Sequence, residues 1–142
     1  MNTENKRSFF RLSFVHPLCA ELKIIGLPDD AEVKTAKIAI HDISAGGMRF
    51  VSDINFSEEL NVLFEVKFTA LGKPYKILGQ LLRVKEVKPQ IYEYSTKFSL
   101  NEPEESALVS MLNALSIKLR KVNVLSSCSF CTDEELAQFK LL

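Results

Sequence analysis

The sequence predicts a mainly β fold: a six-stranded antiparallel β-barrel, then a C-terminal α-helix and a short helical tail. Three observations carry this. Apolar and polar residues alternate with period two through most of the first hundred residues, turn-forming residues interrupt them at short intervals with no helix between strands, and the period becomes helical after residue 100. With 142 residues, 46% hydrophobic and 25% charged, the chain has the composition of one globular domain, which excludes a disordered or low-complexity chain.

Four strands are read directly from alternation. Leu18, Ala20, Leu22 and Ile24 alternate with Glu21 and Lys23; Ala36, Ile38 and Ile40 with Lys37 and His41. Val62, Phe64, Val66 and Phe68 alternate with Asn61, Glu65 and Lys67; Tyr92, Tyr94, Phe98 and Leu100 with Glu93, Lys97 and Ser99. Each reads as a strand with one face buried and one wet. Less regular segments around 48–51 and 75–87 complete six, and Pro28-Asp29-Asp30, Gly46-Gly47, Gly72-Lys73-Pro74 and Lys88-Pro89 are the expected turns. Strands at this spacing favour a small closed barrel. Asn101 then offers an N-cap, with Pro103 in the first turn and Glu104 at capping-box spacing. Leu108, Met111, Leu112, Leu115 and Leu119 follow at helical intervals, and Lys118, Arg120 and Lys121 complement the dipole. This helix is expected to pack on the barrel or on a second copy of itself. Thr132 with Glu135 caps a second, short helix whose Leu136, Phe139 and Leu142 form an apolar edge, offered to a partner or a second protomer or else docked on its own barrel. The expected organisation is a domain over 1–121, comprising an N-terminal arm (1–14), barrel (15–100) and helix (101–121), with a tail over 122–142.

Lys+Arg and Asp+Glu number 18 each, so the formal net charge is zero and general affinity for DNA, RNA or anionic membrane is not expected. The longest uncharged stretch, 122–132, has 11 residues, short of the roughly 20 that span a bilayer. Arg11, Ser13, His16 and Pro17 interrupt the N-terminal apolar run before a signal sequence can form, and three cysteines suit a reducing compartment. The expected location is cytoplasmic.

Two spacings stand out: Arg7-Ser8-Phe9-Phe10-Arg11, and Asp42-Ile43-Ser44-Ala45-Gly46-Gly47. From the abundance of these residue types, R-x-x-x-R arises by chance about 0.18 times and D-x-S-x-x-G about 0.016 times, so their joint presence is informative. Guanidinium forks clamp phosphates and stack on flat rings. A carboxylate accepts the paired N–H donors of a guanine edge, Ser44 adds a hydroxyl, and Gly46-Gly47 lets backbone approach a ligand closely. The set reads as a site for an anionic guanine nucleotide, without nucleophile, base or metal. The competing reading is an Asx-type turn with solvated arginines.

This pair of motifs resembles the signature of PilZ domains, bacterial receptors for cyclic di-GMP, and the resemblance covers roughly 6–121. It implies a barrel with the N-terminal arm folded over its outer surface to trap the nucleotide. By that resemblance Arg7 and Arg11 bind phosphate and stack on guanine, Asp42 and Ser44 read guanine, and Gly47 permits the approach. Arg49 matches a position basic in some members, and its parity agrees: Met48 and Phe50 point inward and Arg49 outward. Gly46 is a lesser candidate. Lys6 is either a helper for a second nucleotide or a solvated surface lysine.

Other constellations are bland. Cys128-Ser-Phe-Cys131 has metal-ligand spacing but supplies half a tetrahedral site, so neither metal nor redox chemistry is expected of it. His16 and His41 fit no triad, and Glu58-Glu59 and Glu104-Glu105 read as a turn and a helix start rather than acid–base pairs. The expected function is a cyclic di-GMP receptor, not an enzyme and without a cofactor, that switches an unidentified downstream protein by ordering its arm on nucleotide binding. Two alternatives remain: a PilZ-fold protein–protein adaptor with an idle nucleotide site, and an OB-like binder of single-stranded nucleic acid, which would expose the aromatics that fall here on a core face. A homodimer, if formed, would use the helix at 101–121 or the tail.

Overall fold

Six antiparallel strands close into a barrel in the order β1-β2-β3-β6-β5-β4. They are β1 Leu12–Ile24, β2 Lys34–Ser44, β3 Gly47–Ser52, β4 Leu63–Ala70, β5 Lys73–Lys88 and β6 Ile91–Phe98, followed by α1 Glu102–Lys118 and α2 Asp133–Gln138. This computed structural model describes residues 10–25, 34–56, 61 and 63–142; Pro28-Asp29-Asp30, Glu58-Glu59 and Val62 lie outside them. The expected six strands and two helices are all present.

Alternation builds the core. Leu22, Ile24, Ile38, Ile40, Phe50, Phe64 and Val66 point inward, and Tyr94 stacks on Phe50 with ring centroids 5.1 Å apart. The Tyr94 hydroxyl donates to the Ile54 carbonyl at 2.8 Å and accepts the Phe56 N–H at 2.5 Å, so its polar end is satisfied where its ring is buried. Tyr94 and Phe98 are buried and Tyr92 half-buried against the core, so these three do not form the exposed aromatic platform of a single-strand binder.

Three local features depart from the alternation. β1 starts at Leu12, inside the segment read as an arm, because Leu12 and Phe14 are core residues. The periodicity is hidden by the irregularity between Ser13 and Leu18, where Pro17 has no N–H to give the ladder. The β4–β5 turn is Leu71-Gly72, with φ of 53° and 78°, while Lys73 and Pro74 already pair with Ala70 and Thr69. The turn falls one step earlier than Gly72-Lys73-Pro74 implies, because left-handed backbone is needed at Gly72 itself. The next turn is Pro89-Gln90, with Gln90 at φ 64°.

Both caps form as read: Asn101 Oδ1 accepts the Glu104 N–H at 2.8 Å, and Thr132 Oγ1 accepts the Glu135 N–H at 3.2 Å, each with its reciprocal bond. Leu108, Met111, Leu112 and Leu115 of α1 join the barrel core. The tail docks on its own barrel. β4 pairs with β1 only from Glu21 onward, and residues 129–131 fill the gap before it. Cys19 N–H bonds the Ser129 carbonyl at 2.7 Å, Cys131 N–H bonds the Pro17 carbonyl at 3.0 Å, and Ser129 N–H reaches Thr69 of β4 at 3.0 Å. Leu136 and Phe139 then bury against Cys19, Ala39, Val51 and Ile91 on the outer barrel face. Those outward positions are therefore dry, unlike the wet face alternation predicts. The apolar edge offered to a partner is covered within the chain, save for the exposed Leu142.

Two predictions follow from this packing. A Cβ on Gly47 would lie 2.1 Å from the Thr96 carbonyl oxygen, a backbone atom that cannot step aside, whereas one on Gly72 meets nothing. Gly47→Ala is expected to lose about 3 kcal/mol by overpacking, and Gly72→Ala about 1–2 kcal/mol through its left-handed backbone alone, read from urea midpoints. The tail also carries an ion pair, Lys37 Nζ to Glu135 Oε2 at 2.8 Å. Burial pushes the Glu135 carboxyl up, but hydrogen bonds from Lys37, the Thr132 N–H and Cys19 together outweigh it and bring its pKa to about 2, from an ordinary 4.5. A depressed carboxylate stabilises above its unfolded pKa and stops doing so as it protonates. The stability difference between wild type and Glu135→Gln is thus expected to shrink as pH falls from about 4.5 to about 2, in urea titrations across that range.

Candidate functional site

The charged cluster is built by a slip in β2. Ile40 pairs with Phe50, but Asp42 pairs with Arg49, leaving His41 as the extra residue. The bulge inverts the parity of the strand, so Ile38, Ile40 and Ile43 all face the core and Asp42 turns outward beside Arg49. The Asp42 carboxylate is only 8% exposed, against 51% for the Arg11 side chain and 43% for Arg49.

Two guanidinium groups share that carboxylate. Arg11 Nη1 donates to Asp42 Oδ1, and Arg49 Nε donates to Oδ2 at 2.8 Å. Arg49 Nη1 also donates to Glu93 Oε2 at 2.6 Å, and Lys85 Nζ stands 3.8 Å from Glu93 Oε1. The hydrogen bond to Asp42 is the main reason the Arg49 pKa is raised. His41 is pushed down by burial and by the Arg49 charge, so it is neutral near pH 7.

The structure brings together Arg11, Asp42 and Arg49, with Ser44, Gly46 and Gly47 in the adjoining turn; Lys6 and Arg7 lie outside the described residues. Ser44 is buried, its Oγ accepting the Gly46 N–H at 3.1 Å, and the Gly46 carbonyl accepts the Phe98 N–H at 3.0 Å. Gly47 has a structural reason of its own, the close approach of the Thr96 backbone. Sequence reasoning missed Glu93 as a partner of Arg49. It lies 44 residues away on β6, and only the β3–β6 register, with Arg49 opposite Ser95 and Val51 opposite Glu93, makes them neighbours. Chemically the cluster is a set of forked cations held by a mostly covered anion, open to solvent on the cation side. Among the described residues it holds no nucleophile–base pair.

The PilZ domain family model matches residues 5–114, more than half of the chain. The chain belongs to the PilZ domain family. Among solved structures it is similar to the PilZ domain of YcgR from Escherichia coli with c-di-GMP (TM-score 0.62, 18% identity, covering 82% of this chain and 95% of that one). It is also similar to the Bacillus subtilis inhibitor of motility MotI/DgrA (TM-score 0.57, 14% identity, 80% and 53%). A third likeness is to PlzA of Borreliella burgdorferi in complex with c-di-GMP (TM-score 0.51, 14% identity, 94% and 61%). At these identities the likeness establishes the fold, and the chain spans little more than half of the last two proteins. No curated protein matches the sequence closely enough to count as a relative. No helix among the described residues is long and apolar enough to cross a membrane.

Because both arginines are substantially exposed, their pairing with Asp42 contributes modestly to folding. Asp42→Ala is expected to keep the barrel, with a stability change within about 1 kcal/mol by urea unfolding.

Proposed function

We propose that this protein is a cyclic di-GMP receptor that acts by binding rather than catalysis. The observation that carries the reading is the Arg11–Asp42–Arg49 cluster at the junction of the N-terminal segment and the β2–β3 turn. Membership of the PilZ family and likeness to two domains solved with c-di-GMP support it. In this reading Arg7 and Arg11 clamp the two phosphodiesters and stack on guanine. Asp42 exchanges its Arg11 partner for the N–H donors of a guanine edge, Ser44 adds a hydroxyl contact and Arg49 keeps the carboxylate oriented. Gly46 and Gly47 hold the turn close to the ligand, and Lys6 adds charge. The exchange at Asp42 is cheap, because an exposed arginine gives up an ion pair worth about 0–1 kcal/mol. Closure of the segment that precedes β1, with Arg7 and Arg11, over the nucleotide alters the surface shown to a downstream protein, and this is the switch.

Isothermal titration with cyclic di-GMP, cyclic di-AMP and GTP in parallel tests this. Only the first is expected to bind tightly. A charge-assisted hydrogen bond contributes about 1.5–3 kcal/mol, so Arg7→Ala or Arg11→Ala should weaken binding roughly tenfold to a hundredfold. Arg11→Lys should restore it only in part, having lost the stacking plane and the fork. Asp42→Ala should lower affinity and guanine selectivity together. Tryptic cleavage after Arg7 and Arg11 should slow when nucleotide is added. Wild-type protein giving no heat with cyclic di-GMP would leave the adaptor reading in its place.

A further inference from the structure

The paired spacing Cys128-x-x-Cys131 is taken apart by the fold. Cys128 Sγ accepts the Leu71 N–H at 3.3 Å, at the β4–β5 turn. Cys131 belongs to the other side of the barrel wall. Leu18 and Phe130 form an antiparallel bridge and both enter the core, so their neighbours Cys19 and Cys131 project outward, under α2. The N3 residue of α2, Glu135, lies over them. Cys19 Sγ, Cys131 Sγ and a Glu135 carboxylate oxygen all stand within 4.8 Å of one another. Three segments, β1, residues 129–131 and α2, thus each deliver one donor atom to one point.

We propose that Cys19, Cys131 and Glu135 bind a zinc-class divalent cation that clamps the tail to the barrel, independently of nucleotide binding. Two sulfurs and one oxygen are the donor set of a borderline-soft ion; magnesium and calcium take oxygen ligands. Zinc–sulfur bonds of about 2.3 Å and zinc–oxygen bonds of about 2.0–2.2 Å put tetrahedral donors a little under 4 Å apart, a small inward adjustment of side chains already converged. The carboxylate is oriented in advance: Glu135 Oε1 accepts the Thr132 N–H at 2.8 Å and Oε2 meets Lys37 Nζ at 2.8 Å. Each oxygen retains a lone pair for a cation, and such outer partners hold ligands in place.

Access and charge fit as well. Cys19 and Cys131 are 7% and 4% exposed. Cys19 and Glu135 also line a cavity of about 510 Å³ that is open to solvent, which gives the ion a route in and a water the fourth position. On binding, both thiols release their protons to solvent and two thiolates and one carboxylate face a dipositive ion, leaving one negative charge. The Lys37 ammonium beside Glu135 offsets it. Because Cys19 lies on β1, far in sequence from Cys131 and Glu135, the ion ties that strand to the tail.

The test uses the full chain, purified without chelator for metal analysis, then stripped and titrated with Zn²⁺ and Co²⁺. One zinc per chain is expected, and Co²⁺ should give thiolate-to-cobalt charge-transfer absorption with intense tetrahedral visible bands. Cys19→Ser and Cys131→Ser should each abolish the charge-transfer signal of the pair, whereas Cys128→Ser should leave it intact. Glu135→Gln should keep sulfur ligation and weaken Zn²⁺ binding about tenfold to a hundredfold. Added Zn²⁺ should raise the Tm of wild type and of Cys128→Ser, a readout that does not rely on the ligand variants folding. The proposal is overturned if stripped wild-type protein gives no thiolate–cobalt band, or if a folded Cys19→Ser variant binds zinc as wild type does. It is equally overturned if protein kept under thiol reductant until analysis has an intact mass two hydrogens short and peptide mapping places the disulfide between Cys19 and Cys131.

Discussion

Between Ile40 and Asp42 the register of β2 against β3 slips by one residue, and the charged site depends on that slip. A strand side chain has two choices of face, so one extra residue exchanges them for everything that follows. Without His41 as the extra residue, Asp42 would enter a core of isoleucine and phenylalanine and Ile43 would face water. With it, Ile43 packs against Met48 inside, while Asp42 sits outside between Arg11 and Arg49. The hydrophobic requirement of the core and the electrostatic requirement of the site are met by the same irregularity.

Barrel closure imposes the second constraint. β1 is long and β4 is short, so part of β1 would present unpaired backbone groups next to apolar side chains. Residues 129–131 satisfy those groups, with Ser129 bonded to both β1 and β4 through backbone and hydroxyl. Placing Phe130 in the core fixes Cys131 and α2 on the outside. The tail is therefore part of the barrel's hydrogen bonding, and the convergence of Cys19, Cys131 and Glu135 is a geometric consequence of it.

Charge is distributed on the same logic. The chain is neutral as a whole, yet on the outer face two arginines and a lysine gather around Asp42 and Glu93. The anions are mostly covered and the cations about half open or more, so the cluster keeps one net positive charge and presents guanidinium groups to an approaching ligand. An anion entering there meets cations already oriented by carboxylates, which lowers the ordering entropy that binding would otherwise cost.

Sequence alone determined what depends on neighbours along the chain. Period-two alternation made the strands, Asn101 with Glu104 and Thr132 with Glu135 made the helix starts, and Arg11, Asp42 and Ser44 stood out by spacing and chemistry. The parity of Met48, Arg49 and Phe50 was also legible, because β3 runs without a bulge. Tertiary structure decided whatever required partners distant in sequence. The start of β1 at Leu12 was masked by an irregularity, and Glu93 reached Arg49 only through strand register. Gly47 turned out to be demanded by the Thr96 backbone, and the apolar edge of α2 was claimed by Ala39, Val51 and Ile91. Local patterning specifies which face of an element is apolar, but which surface covers that face is settled by chain closure, and closure joined Cys131 to Cys19 rather than to Cys128.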